Sequence, residues 1–481
     1  MPGARMIRST LVLLWAAGLL TPLVATARPA GPPTVVHAPK VHDLPAIRSS
    51  HVLRVLVNQT RNSSAEVKGQ PIGVEYPRLA GLEKYLNSRP GQSKTGQIHL
   101  KIIPRPKEQL FIALQRGEGD LVAPGELMET TPPTTVTATA PVQGEASLVL
   151  VGEKGGRHLG RVEQLSGHTV TLARGSAAGE AIAVLNGKLL AHRQAPVKIE
   201  WVDPSLAAED VLDMVQAGIY PQTVVERSIA ERWLKIMPKL RIDARVSFPG
   251  PTRINWYVRS DAVQLKADLD QFLLTYKAPA DADSAFKRAY SGLYQVHNPL
   301  RQPDRQRLEQ LRPLLQRNAR EQHMDWLDLA ALAFKESALD STARGGSGAT
   351  GLMQMTPAAA QRVGVSNIQS VDNNVQASAR YLAMIRQKFF SSRNLDERER
   401  MAFVLAAYNM GPERVQALRA EARRRGLNPN KWFFQVERVA MEQMGMNAVN
   451  YVNSVNKYYL AYDRERDSLE PQSRKQLASI R

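Results

Sequence analysis

The sequence predicts a two-lobed α/β domain over residues 51–275 followed by an all-α domain over residues 305–465. Three observations carry this reading. Strand-like and helix-like segments alternate from His51, the pattern turns wholly helical from Arg305, and 481 residues are too many for one typical core. Residues 28–50, with five prolines, are expected to be an extended linker, residues 276–304 a second linker, and residues 466–481 a charged tail.

The first lobe begins with a compact β-rich run over 52–57. Leu79, Leu82 and Leu86 have helical spacing, residues 98–103 alternate like a strand, and 109–115 form a short helix closed by Gly117. The second lobe reads as strands at 147–151 and 169–173, a helix from Ala177 into Leu185, and a helix over 207–216 stopped by Gly218. In the helical part, residues 325–337 are apolar or Ala except Asp325, Asp328, Lys335, Glu336 and Ser337.

Composition limits the chemistry. The chain has 63 Lys+Arg against 45 Asp+Glu, a formal excess of 18, which calls for an anionic partner. With no cysteine it has no disulfide, thiolate metal site, cysteine nucleophile or Cys-linked lipid. Nine histidines are scattered without ligand spacing, so neither metal nor cofactor is expected. Arg5 and Arg8, the apolar run 11–25 and Ala25-Thr26-Ala27 read as a signal peptide over 1–27; an uncleaved anchor is the alternative. The run is short for a membrane span of about 20 residues, and Pro22 interrupts it. Export argues against nucleic acid as the partner.

In the first domain the stretches Leu53-Arg54-Val55, Leu110 through Gly117-x-Gly119-Asp120-Leu121, Leu165-x-Gly167-x-Thr169-Val170, Gly175-Ser176, Glu209-Asp210-x-Leu212 and Ile254-x-Trp256-x-Val258-Arg259 resemble a type II periplasmic-binding-protein-like domain. Members that bind amino acids usually carry an Arg after a Thr-x-x segment, where it forks onto the ligand carboxylate. Here residues 129–134 hold no Arg, and the expected ammonium-binding Asp is Glu226. The usual amino-acid geometry is therefore not expected.

Glu336 would sit over Leu332 and Ala333 on its helix, partly desolvated, and so available as a proton donor near neutral pH. On the helix alone, a solvated terminal glutamate is the commoner case. Motifs further on change the balance. The loop 345–351 is Gly-rich but lacks the Gly-Lys-Ser/Thr of a nucleotide loop. Glu336-Ser337, Gly348-x-x-Gly351-Leu352-Met353-Gln354-x-x-Pro357 and Ala407-Tyr408-Asn409-x-Gly411-Pro412 together resemble the soluble lytic transglycosylase domain, with its goose-type, lysozyme-like fold. Asn428-Pro429-Asn430-Lys431-Trp432-Phe433, Val436-Glu437, Tyr451-Val452 and Lys457-Tyr458-Tyr459-x-Ala461-Tyr462 narrow the resemblance to the membrane-bound lytic murein transglycosylase F family.

That resemblance implies cleavage of the MurNAc–GlcNAc bond of peptidoglycan glycan strands with formation of 1,6-anhydro ends. Glu336 would act as acid and then base. Ser337 would help position it, Met353 and Gln354 would line sugar subsites, Tyr408 and Asn409 would hold carboxyl and acetamido groups, and Tyr451 would reach back to Glu336. For Tyr408 and Tyr451 the alternative is a core tyrosine with a satisfied hydroxyl. A periplasmic or envelope location, peripheral at the outer membrane, goes with the family, as does a muropeptide or small ligand in the first domain. The competing function is a non-catalytic solute- or muropeptide-binding protein that docks on the wall. The chain departs from the family pattern at three places. Asn447-Ala448 stands for Glu-Thr, Gly345-Gly346 for Ser-Pro, and Lys335 for Gln or His. Arg423-Arg424-Arg425 reads as a solvated helix face or as a contact for anionic polymer.

Overall fold

A computed structural model of the chain describes residues 42–88, 96–142, 145–250, 252–279 and 282–470. The expected signal peptide, most of the Pro-rich stretch and the end of the charged tail lie outside these residues.

The first lobe is a five-stranded sheet in the order β4 (His99–Arg105), β1 (Val52–Asn58), β5 (Leu121–Ala123), β12 (Asn255–Arg259), β6 (Val136–Pro141). β1 pairs parallel with β4 and β5, whereas β12 returns from far along the chain and runs antiparallel to β5 and β6. Strand alternation explains its two packed faces. Leu53, Val55 and Val57 point to Leu79, Leu82 and Leu86 of α3 (Tyr76–Asn87) and to Leu265, Leu269 and Phe272 of α8 (Val263–Thr275). Leu56 points the other way, onto Leu110 and Leu114 of α4 (Leu110–Gln115). The helices α1 (Leu44–Ser50) and α2 (Arg61–Ser64) and the hairpin β2 (Glu66–Val67)–β3 (Gln70–Pro71) complete this lobe.

The second lobe has an antiparallel sheet β10 (Gln222–Glu226), β7 (Leu148–Glu153), β11 (Leu240–Ser247) and a parallel pair β8 (Thr169–Leu172), β9 (Lys198–Trp201). One face packs on α5 (Ala178–Ala191) through Ile182, Leu185 and Leu189. The other, through Val149, Val151 and Val225, meets α6 (Ala208–Gln216) and α7 (Arg227–Leu234), and there its core runs without a break into that of the helical part. The chain passes from lobe to lobe twice, after β6 and after β11.

The stretch 276–304, expected as a linker, contains α9 (Ala282–Tyr290) and is packed rather than open. Phe286, Tyr290 and Tyr294 surround Trp233, with ring centroids 5.0, 5.1 and 4.8 Å from it. Aromatic contacts of this kind contribute about 0.5–1.5 kcal/mol each beyond area burial. Likewise α1 lies inside the expected Pro-rich linker, where Asp43 caps α8 by accepting from the Gln264 and Leu265 amides at 3.0 and 2.8 Å.

The helical part consists of α10 (Asp304–Glu321), α11 (Trp326–Ser337), α12 (Pro357–Gln361), α13 (Val371–Phe389), α14 (Glu397–Met410), α15 (Pro412–Arg424), α16 (Glu437–Met444), α17 (Met446–Arg464) and α18 (Arg466–Leu469). α11 is its apolar centre, with every residue from Trp326 to Phe334 buried. The start of the expected charged tail is tied down: Arg466 pairs with Asp325, and Leu469 is buried.

Candidate active site

The site begins with how α11 starts and stops. Asp325 caps it by accepting from the Leu327 amide at 3.1 Å, and Ala338 and Leu339 end it in the left-handed region at φ 51° and 62°. Glu336 therefore lies in the last turn, where unsatisfied carbonyls and the negative end of the helix dipole oppose a second negative charge. Burial pushes its carboxyl above the ordinary value, while the Tyr451 hydroxyl and the Lys335 charge pull in the opposite direction without cancelling the rise. Tyr451, on α17, donates its phenolic hydroxyl to Glu336 Oε1. Tyr458, two turns later on the same face, packs edge-on against Phe334 at 4.7 Å and fixes α17 against α11. Asp340 is solvated and local: its carboxylate accepts from Thr342 N and Oγ1 at 2.8 and 2.7 Å.

The loop after α11 is held by hydrogen bonds aimed at its backbone. Ser337 Oγ donates to the Leu352 carbonyl at 2.8 Å and Tyr408 Oη to the Met353 carbonyl at 2.9 Å. Gln354 turns inward and donates to the Gly351 and Ala343 carbonyls at 2.9 and 3.2 Å. At the centre is Asn374, in the first turn of α13. It accepts from Met353 N at 2.8 Å and donates to the Thr350 and Ile368 carbonyls at 2.9 and 3.1 Å. Gly351 is required here: its φ is 76°, and a Cβ would lie 2.7 Å from Asn374 Nδ2.

An open groove of about 490 Å³ lies beside Glu336, lined by Lys335, Asn409, Met410, Arg414, Met444, Asn447, Ala448, Asn450 and Tyr451. Glu336, Ser337, Tyr408, Asn409 and Tyr451 thus meet at one place. Met353 does not line an open subsite: its side chain is fully buried in the core, and only its backbone serves the loop. Tyr408 hydrogen-bonds inward, so the exposed neighbour Asn409 is the one facing the groove. Two contributors escaped the sequence reading. Asn374 could have been suspected from a polar side chain in an otherwise apolar helical stripe; Arg414 carries no local signal at all. Among the described residues no group of three or more His, Cys, Asp or Glu could hold a metal.

A second, larger cleft of about 800 Å³ opens between the lobes of the α/β part. Lys107 Nζ reaches Glu126 at 3.3 Å and Glu226 at 4.0 Å in its wall. Its rim includes Arg398, Lys431 and Phe434 of the helical part. Below it, buried charges join the two parts. Arg61 pairs with Asp210 and with Glu437 (2.5 Å), and Lys457 of α17 lies 2.8 and 2.9 Å from Asp210 and Asp213.

Residues 313–431 match the family described as the Transglycosylase SLT domain. Over 436 residues the chain is 25% identical to a membrane-bound lytic murein transglycosylase F of Desulfosudis oleivorans, covering 86% of this chain and 90% of that one. Similar solved structures include an ancestral arginine-binding protein bound to arginine (19% identical, 50% of this chain and 97% of that one, TM-score 0.39). Another is an amino acid ABC transporter substrate-binding protein of Streptococcus pneumoniae bound to L-arginine (17% identical, 51% and 98% covered, TM-score 0.40).

Proposed function

We infer that this chain, which carries a transglycosylase SLT domain and is similar to membrane-bound lytic murein transglycosylase F along most of its length, is a lytic transglycosylase of peptidoglycan. The observation that carries the reading is a lone carboxyl group at a sugar-sized groove. Glycosidases that use water generally need two carboxylates, one on each side of the bond. Here no acidic residue lines the groove among those described, and Glu336 stands beside it with a raised pKa and a tyrosine holding it.

Such a group suits a reaction in which one residue does both proton transfers. Protonated Glu336 gives its proton to the oxygen bridging MurNAc and GlcNAc as the bond to the MurNAc anomeric carbon breaks. The MurNAc C6 hydroxyl then closes on that carbon and gives its proton to Glu336, leaving a 1,6-anhydro end and regenerating the acid. Tyr451 would keep the carboxyl aimed through both steps. Ser337, Asn374 and Tyr408 would act through the loop backbone, and Asn409 would face the substrate.

The α/β cleft is large enough for a peptide-sized ligand. Lys107, Glu126 and Glu226 in its wall are paired with one another, and the domain is best read as a ligand-sensing partner of the enzyme. An envelope location follows from the substrate; no described helix is long and apolar enough to cross a membrane. The test is digestion of purified sacculi by the mature protein and by its Glu336→Gln variant, with circular dichroism as the control for folding. Release by the first and none by the folded second is expected; release by both would remove Glu336 from the reaction.

A further inference from the structure

Among the described residues the groove beside Glu336 is lined by two cations and no carboxylate. Lys335 contributes from the end of α11 and Arg414 from the first turn of α15. Asn447 and Ala448, from the first turn of α17, supply another stretch of wall. Among the described residues neither Lys335 nor Arg414 has a carboxylate within 4.0 Å. In the arginine run at 423–425, Arg424 and Arg425 are paired with Glu421, and Arg425 also with Glu442. Two of the three arginines there are thus already engaged, whereas the two cations of the groove are not. Lys335 is half-buried, which strengthens its attraction for a charge entering the groove.

We propose that Lys335 and Arg414 form a carboxylate-binding subsite next to the scissile bond, by which the groove selects glycan with a negatively charged muramyl side group. The inference rests on the reading of this chain as a peptidoglycan lytic transglycosylase. Muramic acid bears a lactyl ether that ends in a free carboxylate when no peptide is attached. When a stem peptide is present that group is an amide, and the carboxylates lie along the peptide. Either source offers the same chemistry to an ammonium and a guanidinium.

The test uses the full-length mature Glu336→Gln protein, which should bind without cleaving. Its affinity is measured for three glycan oligosaccharides: peptide-free, peptide-free with the lactyl carboxylate converted to a methylamide, and peptide-bearing. A carboxylate-bearing ligand should bind roughly tenfold more tightly than the methylamide, with the advantage shrinking as salt is raised. Preference for the peptide-free acid identifies the lactyl group, and preference for the peptide-bearing strand identifies the stem. Adding Lys335→Gln or Arg414→Gln should erase the preference; Arg414 is exposed, so its replacement leaves packing intact. Equal binding of all three ligands, or a preference that survives both substitutions, overturns the proposal. If the unsubstituted enzyme digests sacculi while the ligands bind alike, only the subsite falls; if it releases nothing from sacculi, the functional reading falls and the subsite with it.

Discussion

Tyr451 donates its hydroxyl to the carboxyl of Glu336 from a helix that begins more than a hundred residues after the one carrying the acid. The bond couples the angle of α17 to the aim of the carboxyl. It also lowers the proton affinity that burial has raised. Tyr451→Phe keeps the ring and its packing but removes the donor. Turnover on sacculi should fall roughly tenfold to a hundredfold through lost positioning. On the proposed reading Glu336 acts when protonated, and without the donor its pKa rises further. The alkaline limb of the pH–rate profile should therefore move to higher pH, and a limb moving to lower pH would contradict the account.

Glu336 should also reveal itself in stability. Its folded-state pKa lies above the ordinary carboxylate value of about 4.3, so over the interval between them the folded chain holds a proton the unfolded chain has released. Stability contributed by this group falls as pH rises through that interval. Glu336→Gln removes the charge that burial penalises, and its melting temperature should exceed that of the unsubstituted protein at pH 7. The difference should close on acidification below about pH 4. Thermal unfolding followed at the two pH values checks the sign.

Asn374 should be the most sensitive of the positions that hold the loop. Asn374→Ala leaves the Met353 amide and the Ile368 carbonyl without their partner, while the Thr350 carbonyl keeps the Met355 amide at 3.1 Å. Each buried orphan costs about 1–3 kcal/mol. Denaturant unfolding should show a loss of several kcal/mol, and activity should fall even at temperatures where the protein remains folded, because the loop that Ser337 and Tyr408 hold has lost its centre.

The junction between the two parts should be as costly to disturb as a core. Arg61 is only 3% exposed and faces Asp210 and Glu437, with Glu209 3.5 Å from its Nε. Arg61→Met leaves Glu437 and Glu209 without a cation in a buried site and Asp210 with Lys457 alone, at about 3–5 kcal/mol. Removal of Lys457, whose partners are Asp210 and Asp213, should act in the same direction. Chemical denaturation of the single and double variants would show coupling, since both cations share Asp210.

What could be read ahead of the structure follows from the range of each interaction. Leu53, Val55 and Val57 alternate within five residues, and the apolar stripe before Glu336 repeats within three turns, so short windows hold those signals. The core around α9 was missed because Phe286, Tyr290 and Tyr294 are packed by Trp233, which lies more than fifty residues earlier. Met353 and Gln354 are adjacent in one motif, and nothing local says that one is buried while the other turns onto the loop backbone. The partners of Arg61 and Lys457 are hundreds of residues distant in part, so the joining of the two domains by buried charge could be recognised only once the fold placed them together.

The most direct test of the central claim is the fate of solvent oxygen. Sacculi would be digested by the protein in water enriched in heavy oxygen, and the released muropeptides weighed by mass spectrometry. If Glu336 serves the MurNAc C6 hydroxyl, every new MurNAc end is an anhydro sugar, lighter than the reducing sugar by one water and free of the heavy label. Reducing MurNAc ends carrying heavy oxygen would show that water attacks instead, and would contradict the account.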